Sequence, residues 1–238
     1  MKYNNIIFDF GNVIGKFDES SILSLFCDTY FGEVRPSDRD AHFGAPDGYT
    51  HRAYRDTCPY GADGLRPTKY SKEDFDILLH AIFKNWQALD EGTIDYNRNI
   101  EYTVSLVPAH LEGLVRKFFH SWYRHLTPLY QTWDFIIELK QRQVPIYILS
   151  NAPTEFIKHV DFYEIVKEFD GAVFSAAIRM AKPRPEIYRY LFNTYRLKPE
   201  ECFFLDDKKE NIDAAKKLGM DGMIFTGDIE AVKQAIEF

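Results

Sequence analysis

Short apolar runs recur along the second half of the chain, and most of them end at a serine or an aspartate. They are PIYILS at 145–150, AVFS at 172–175, CFFLD at 202–206 and GMIF at 222–225. A similar run, IIFD, lies at 6–9. Because the runs are continuously apolar rather than alternating, they predict strands that are buried on both faces, as in a parallel sheet.

Between these runs, apolar residues recur at the three- and four-residue spacing of amphipathic helices. The pattern covers residues 129–143, 185–195, 210–218 and 228–236. Pro185 stands near the start of one predicted helix, Gly219 follows the end of another, and Asp228 is placed to cap the last. Strands that alternate with helices predict a parallel α/β sheet with right-handed crossovers.

The stretch from Lys16 to about Thr127 has little strand pattern and predicts helices. Ser71-Lys-Glu-Asp74 has the arrangement of a capping box, with Asp in the fourth place, and apolar residues follow at helical spacing as far as Trp86. Further helices are expected at 20–30, 95–105 and 111–125.

The predicted organisation is therefore an α/β core, residues 1–15 and 128–238, interrupted by a helical insertion at 16–127. Within the insertion, Arg35–Lys72 is rich in Pro, Gly, Tyr and Arg and is longer than an ordinary connection. This segment is either an ordered functional loop or a flexible one.

Composition narrows the possible functions. The chain of 238 residues is 45% hydrophobic, enough for a sizeable core, and its net charge of −7 argues against a nucleic-acid surface. No apolar run approaches the ~20 residues of a membrane helix, and the first residues lack the layout of a signal peptide. The three cysteines are far apart, which argues against a zinc or redox motif. We expect a cytoplasmic protein with neither a nucleic-acid nor a membrane partner.

Polar residues that could carry chemistry lie at the ends of the predicted strands or, for Lys182, just before a predicted helix. They are Asp9, Ser150, Asn151, Lys182, Asp206 and Asp207. In open parallel sheets, ligands bind where strands end and helices begin. Each residue alone also fits a turn, a solvated loop or a helix start. The ordered set of an acid, a small hydroxyl, a lysine and paired acids favours a catalytic site.

The motifs DFGNV, LSN, KPRPEIY and DDKKEN give the chain a resemblance to the haloacid dehalogenase superfamily. Most members of that superfamily are magnesium-dependent phosphatases with a Rossmann-like core. The resemblance spans the whole core, and the helical insertion lies where that family carries a cap domain. The Gly-Asn form of the first motif is similar to small sugar-phosphate phosphatases, including glucose-1-phosphate phosphatases.

The resemblance implies a metal site and a nucleophile. Asp9 would be both the nucleophile, forming an aspartyl-phosphate, and a Mg²⁺ ligand. Asp207 would bind the metal directly, and Asp206 directly or through water. The backbone carbonyl of Gly11 would be a further ligand.

The resemblance also implies how the substrate, a small phosphorylated metabolite, would be held. Ser150 and the backbone at Asn151 would bind phosphate oxygens. Lys182 would neutralise charge on Asp9 and the phosphoryl group, and Asn211 would orient the acidic loop. Phosphoryl transfer depends mostly on such positioning and charge stabilisation.

Gly11 departs from the family pattern, in which an aspartate two residues after the nucleophile protonates the leaving alcohol and then activates water. Loss of general acid–base catalysis typically costs ~10²–10⁴ in rate. The glycine therefore fits a substrate with a good leaving group, such as a sugar 1-phosphate, or an acid supplied by the cap or by water. Asp18 and Glu19 are candidates for that acid, although a solvated turn also accounts for them.

Two other functional classes stay open. A metal-independent 2-haloacid dehalogenase-type hydrolase would also lack the second aspartate, but the paired acids fit a metal better. A catalytically weak regulatory or binding member of the family would explain Gly11, yet it would not need Asp9, Lys182 and both later carboxylates. A response-regulator receiver carries its phosphoacceptor in a later strand and has no helical insertion, which argues against it.

Overall fold

The computed structural model describes residues 1–17 and 70–238. The helix expected at 20–30, the candidate acids Asp18 and Glu19, and nearly all of Arg35–Lys72 lie outside these ranges. The chain divides into two compact units. The first comprises Met1–Phe17, Asn85–Glu101 and Leu126–Phe238, and the described residues of the second are 70–84 and 102–125.

Seven strands and ten α-helices lie within the described ranges. The strands are β1 (Asn5–Phe8), β2 (Gly15–Lys16), β3 (Thr127–Pro128), β4 (Ile146–Ser150), β5 (Gly171–Phe174), β6 (Cys202–Asp206) and β7 (Asp221–Ile224). The helices are α1 (Lys72–Phe83), α2 (Trp86–Asp90), α3 (Tyr96–Val104), α4 (Glu112–Ser121), α5 (Tyr130–Gln141), α6 (Thr154–His159), α7 (Ser175–Ile178), α8 (Pro185–Tyr195), α9 (Lys209–Lys217) and α10 (Ile229–Ala235).

The first unit is built on a five-stranded parallel sheet with the order β5-β4-β1-β6-β7. The first strand is central, so that Ile6 is paired with Ile146 on one side and with Phe203 on the other. The parallel α/β sheet predicted from the sequence is confirmed. A separate antiparallel pair joins β2 to β3.

Both faces of this sheet are covered, which explains the continuously apolar strands. On one face, Ile7 belongs to a buried cluster with Ile187 and Tyr188 of α8. On the other face, Phe8 packs against Phe135 of α5, with ring centroids 6.3 Å apart. Alternate residues of β1 therefore reach opposite layers of the core.

Helix α1 of the second unit begins with the predicted capping box. Ser71 Oγ accepts a hydrogen bond from the Asp74 N–H at 3.1 Å, and Asp74 accepts one from the Ser71 N–H at 2.8 Å. The sequence extended this apolar stripe to Trp86, which was wrong: α1 ends at Phe83, and Trp86 begins α2 in the first unit.

The domain limits expected from the sequence, 1–15 with 128–238 and 16–127, stay a prediction. In the structure, residues Asn85–Glu101 group with the parallel sheet. Across residues 1–17 and 70–238, none of the helices is long and apolar enough to cross a membrane.

Candidate active site

Three neighbouring strands of the sheet deliver polar residues to the same edge. Asp9 directly follows β1, Ser150 ends β4 and Asp206 ends β6. Because the strands are parallel and adjacent, these side chains leave the sheet close together. Asp9 is 7% exposed, Ser150 2% and Asp206 0%, so the site is held inside the protein.

Lys182 links two of these groups. Its Nζ lies 2.9 Å from Oδ1 of Asp9 and 2.6 Å from Oδ2 of Asp206. Burial opposes the charged ammonium, but the charges of Asp9 and Asp206 outweigh it and raise the pKa of Lys182. The buried ammonium of Lys182 thus forms ion pairs with two carboxylates.

The backbone of Lys182 is fixed by the side chain of Asn151. The Lys182 N–H donates to Asn151 Oδ1 at 2.9 Å, and Asn151 Nδ2 donates to the Lys182 carbonyl at 2.9 Å. Asn151 therefore connects the end of β4 to the lysine. The sequence analysis missed this role; the phosphate contact expected of the Asn151 backbone stays a prediction.

Asp206 is held by the residues that follow it. Its Oδ1 accepts a hydrogen bond from the Lys208 N–H at 2.8 Å, and Asn211 Nδ2 lies 2.9 Å from both carboxylate oxygens. The Tyr188 hydroxyl donates to the Asn211 carbonyl at 2.9 Å. These are the contacts that an orienting role for Asn211 requires.

Asp207 is half-buried and accepts a hydrogen bond from Asn12 Nδ2 at 2.8 Å. Asn12 adopts φ of 56°, a left-handed conformation that asparagine tolerates better than most residues. The first motif and the acidic motif are thereby joined by a side chain. The sequence analysis did not single out Asn12, and its only signal was an asparagine in a glycine-containing turn.

Asp9, Asp206 and Asp207 form a cluster able to hold a cation. Each offers one carboxylate oxygen, and these oxygens lie within 4.8 Å of one another. Hard cations such as Mg²⁺ take oxygen ligands of this kind. The donor set therefore fits the magnesium implied by the sequence.

Burial raises the pKa of Asp9 to about 6. This pKa already includes the charge of Lys182, which lowers it, the charge of Asp206, which raises it, and a hydrogen bond from the Ser150 hydroxyl, which lowers it. The Phe10 N–H also donates to Asp9 Oδ1 at 2.7 Å. A cation bound by the three carboxylates would add positive charge and favour the ionised nucleophile.

Gly11 has open space around it. A Cβ built on Gly11 meets no atom of the described ranges within 4 Å, and its φ lies outside the left-handed region. Neither crowding nor backbone conformation requires glycine here. The structure therefore leaves room for a side chain at the position where the family's second aspartate is expected.

The buried Asp9–Lys182–Asp206 arrangement lies at the carboxyl edge of the parallel sheet, where open α/β sheets bind their ligands. The model of the haloacid dehalogenase-like hydrolase family matches residues 3–219. The chain belongs to this family of hydrolases.

Known relatives include phosphatases. The chain is 26% identical over 171 residues to the sesquiterpene phosphatase astK of Aspergillus oryzae. The aligned region covers 68% of this chain and 82% of the relative. It is also 26% identical over 84 residues to a phosphorylated carbohydrates phosphatase of Thermotoga maritima. This aligned region covers 35% of this chain and 39% of the relative.

A solved structure shares the fold over nearly the whole chain. It is the family enzyme BT-2542 of Bacteroides thetaiotaomicron in complex with magnesium and inorganic phosphate. The TM-score is 0.60 at 20% identity, and the match covers 97% of this chain and 98% of the other.

Proposed function

We propose that this protein is a magnesium-dependent phosphatase that hydrolyses a small phosphomonoester through an aspartyl-phosphate on Asp9. The observation that carries the proposal is the convergence of Asp9 and Lys182 with the acids Asp206 and Asp207 at one buried sheet edge. The two phosphatase relatives and the phosphate complex of BT-2542 support it.

In the proposed reaction, an oxygen of Asp9 attacks the substrate phosphorus. Bound Mg²⁺ would supply charge neutralisation between the carboxylates and the phosphate. The ammonium of Lys182 stabilises negative charge on the transferring group, and Asn151 holds that lysine in place. The hydroxyl of Ser150, already directed to Asp9, is available to a phosphate oxygen. Water then cleaves the aspartyl-phosphate and regenerates Asp9.

A sugar phosphate is the substrate class that we favour. The Thermotoga relative is named for phosphorylated carbohydrates, and the sequence motif at Gly11 is similar to that of sugar-phosphate phosphatases. A sugar phosphate is small, and its anionic group suits the buried lysine.

Phosphate release from a panel of phosphomonoesters tests the proposal, with Mg²⁺ and with EDTA, for the wild type, Asp9→Asn and Asp161→Asn. Turnover should require Mg²⁺, should be lost in Asp9→Asn and should persist in Asp161→Asn, which removes an exposed carboxylate of the same unit. Turnover that survives Asp9→Asn in folded protein would refute the aspartyl-phosphate.

The missing acid at Gly11 favours one alternative, a metal-independent hydrolase that acts on carbon–halogen bonds. That reaction has no use for three carboxylates placed to share a cation. Halide release from 2-haloacids in the presence of EDTA, without phosphate release from any ester, would favour it over the phosphatase. The absence of both activities in folded protein would favour a binding member of the family.

A further inference from the structure

An acid with a buried carboxylate oxygen lies in the first unit and has no part in the mechanism above. Asp90 ends helix α2, and its Oδ1 is buried without a hydrogen-bond partner among residues 1–17 and 70–238. Burying a carboxylate oxygen without a partner costs free energy, most of all when the group is ionised, so such an atom points to a protonated group with a functional role. Sequence analysis gave no signal for this residue beyond an acid in a helical insertion.

Contacts with the ends of two sheet strands fix the position of Asp90. The Ser175 hydroxyl, directly after β5, donates to the Asp90 carbonyl and accepts a hydrogen bond from the Ala152 N–H at 2.9 Å. Gly92 has φ of 64°, and a Cβ there would lie 2.5 Å from the carbonyl oxygen of Ala176. This close packing holds the Asp90 turn at the carboxyl edge of the sheet, where Asp9 also lies.

Two of the charged groups that act on Asp90, Asp9 and Lys182, belong to the candidate active site. Burial raises the pKa of Asp90 to about 8. This pKa already includes the charges of Lys208 and Lys182, which lower it, and those of Asp9 and Glu91, which raise it. At neutral pH the carboxyl group therefore carries a proton that it can donate.

We propose that Asp90 is the general acid and base of this enzyme, in place of the aspartate that is absent at position 11. The inference rests on the proposed phosphatase function. Three observations carry it: the unpaired buried oxygen of Asp90, its anchoring at the same sheet edge as Asp9, and the open space beside Gly11.

Both proton transfers balance with Asp90 alone. In the first step, an Asp9 oxygen bonds to phosphorus, the bond between phosphorus and the ester oxygen breaks, and the Asp90 proton goes to that oxygen, so an alcohol leaves. In the second step, the Asp90 carboxylate takes a proton from water while the water oxygen bonds to phosphorus. The bond between phosphorus and Asp9 breaks, inorganic phosphate leaves, and Asp90 is protonated again.

The test compares two leaving groups in single-turnover phosphorylation of the enzyme. The probes are p-nitrophenyl phosphate, whose leaving group needs no proton, and a primary alkyl phosphate, whose leaving group does. Asp90→Asn should slow the alkyl ester by about 10²–10⁴ and the aryl ester by less than tenfold. With p-nitrophenyl phosphate in excess over Asp90→Asn, a burst of p-nitrophenolate should precede a slow steady state, because hydrolysis of the aspartyl-phosphate has lost its base.

Glu91→Gln is the matched control, since it removes an adjacent carboxylate that is already paired with Gln87 and Arg184. The control should keep the wild-type ratio of the two rates and show no burst. Equal slowing of both esters by Asp90→Asn, or no slowing, would overturn the role of Asp90. Such a result would leave the phosphatase function intact, because that function is tested separately by Mg²⁺ dependence and Asp9→Asn.

A measurement on the wild type keeps the proposal testable if Asp90→Asn does not fold. Phosphorylation by the alkyl ester should decline as pH rises and Asp90 loses its proton, while phosphorylation by the aryl ester should not show this decline. Titration of any other group at the site, including Asp9, Lys182, Lys208 or Glu91, would affect both esters. Parallel pH profiles for the two esters would therefore contradict a general acid at Asp90.

Discussion

The buried ammonium of Lys182 shapes both the stability and the chemistry of the site. It is the cation that the structure places against Asp9 and Asp206 at 2.9 and 2.6 Å. Removing one partner of a buried ion pair leaves uncompensated charge in a medium of low dielectric constant. Lys182 is therefore expected to stabilise the folded protein even when no substrate is present.

Lys182→Met tests this expectation. The free energy of unfolding should fall by about 3–5 kcal/mol, because two buried carboxylates lose their counter-charge. Lys158→Met, at an exposed ion pair with Glu155, should change it by less than about 1 kcal/mol. Urea unfolding of both variants gives the comparison, and equal stability of the two would contradict the prediction.

The protonation of Asp90 should appear in the pH dependence of stability. Its pKa is about 8 in the folded protein against 3.8 ordinarily. Between these values the native state binds more protons than the unfolded state, so the wild type loses stability as pH rises. Asn cannot ionise, so the stability of Asp90→Asn relative to the wild type should increase from pH 5 to pH 8. Urea unfolding at both pH values checks this, and a constant difference would contradict it.

Cys202 should resist alkylation in the native protein. Burial raises the pKa of its thiol to about 12, so almost no thiolate exists at pH 8. Iodoacetamide followed by peptide mapping should find Cys202 unmodified before denaturation and modified in urea. Modification of Cys202 in the native protein at the rate of a free thiol would show that strand β6 opens.

The structure brings together the ionisable residues named from the sequence, and it adds positioning hydrogen bonds of Asn12 and Asn151 that the sequence did not indicate. Asp9 and Lys182 stand in motifs whose residue types follow from phosphoryl-transfer chemistry. Asn12 and Asn151 act through hydrogen bonds to residues far away in sequence, namely Asp207 and the Lys182 backbone. Such pairings depend on the folded arrangement of loops, which periodicity and spacing do not encode.

At the scale of elements, the two-sided burial of the sheet made its strands predictable. Residues 146–150 and 202–206 are buried throughout, and each strand is apolar up to its last residue, Ser150 or Asp206. The grouping of Asn85–Glu101 with the sheet could not be anticipated in the same way. An apolar stripe shows that one face of a helix is buried, but it does not identify the core that buries it.

Helix α1 offers a test of local stability. Ser71→Ala removes the side-chain acceptor of the capping box and should cost about 1 kcal/mol. Lys72→Ala, at an exposed position of the same helix, should change stability by less than about 0.5 kcal/mol. The denaturation midpoints of the two variants decide the question, and an unchanged midpoint for Ser71→Ala would argue against the cap.

At the scale of the whole molecule, magnesium should act as a stabilising ligand, because Lys182 offsets only part of the repulsion among three carboxylates whose oxygens lie within 4.8 Å of one another. Saturating Mg²⁺ at 100 times its dissociation constant would add about 2.7 kcal/mol of stability. Asp207→Asn should reduce the shift in Tm, whereas Asp213→Asn, at an exposed acid paired with Lys209, should not. Equal shifts in both variants would place the cation elsewhere.

The central position of β1 has a consequence for how the chain is made. Ile6 is translated before the helical insertion, whereas its partners Ile146 and Phe203 are translated only after it. Strand β1 therefore stays unpaired and apolar until β4 and β6 have been translated, and such long-range pairing is slow and prone to aggregation. The sheet edge that holds Asp9 and Asp206 can thus form only after β6 has been translated, long after Asp9 itself has emerged from the ribosome.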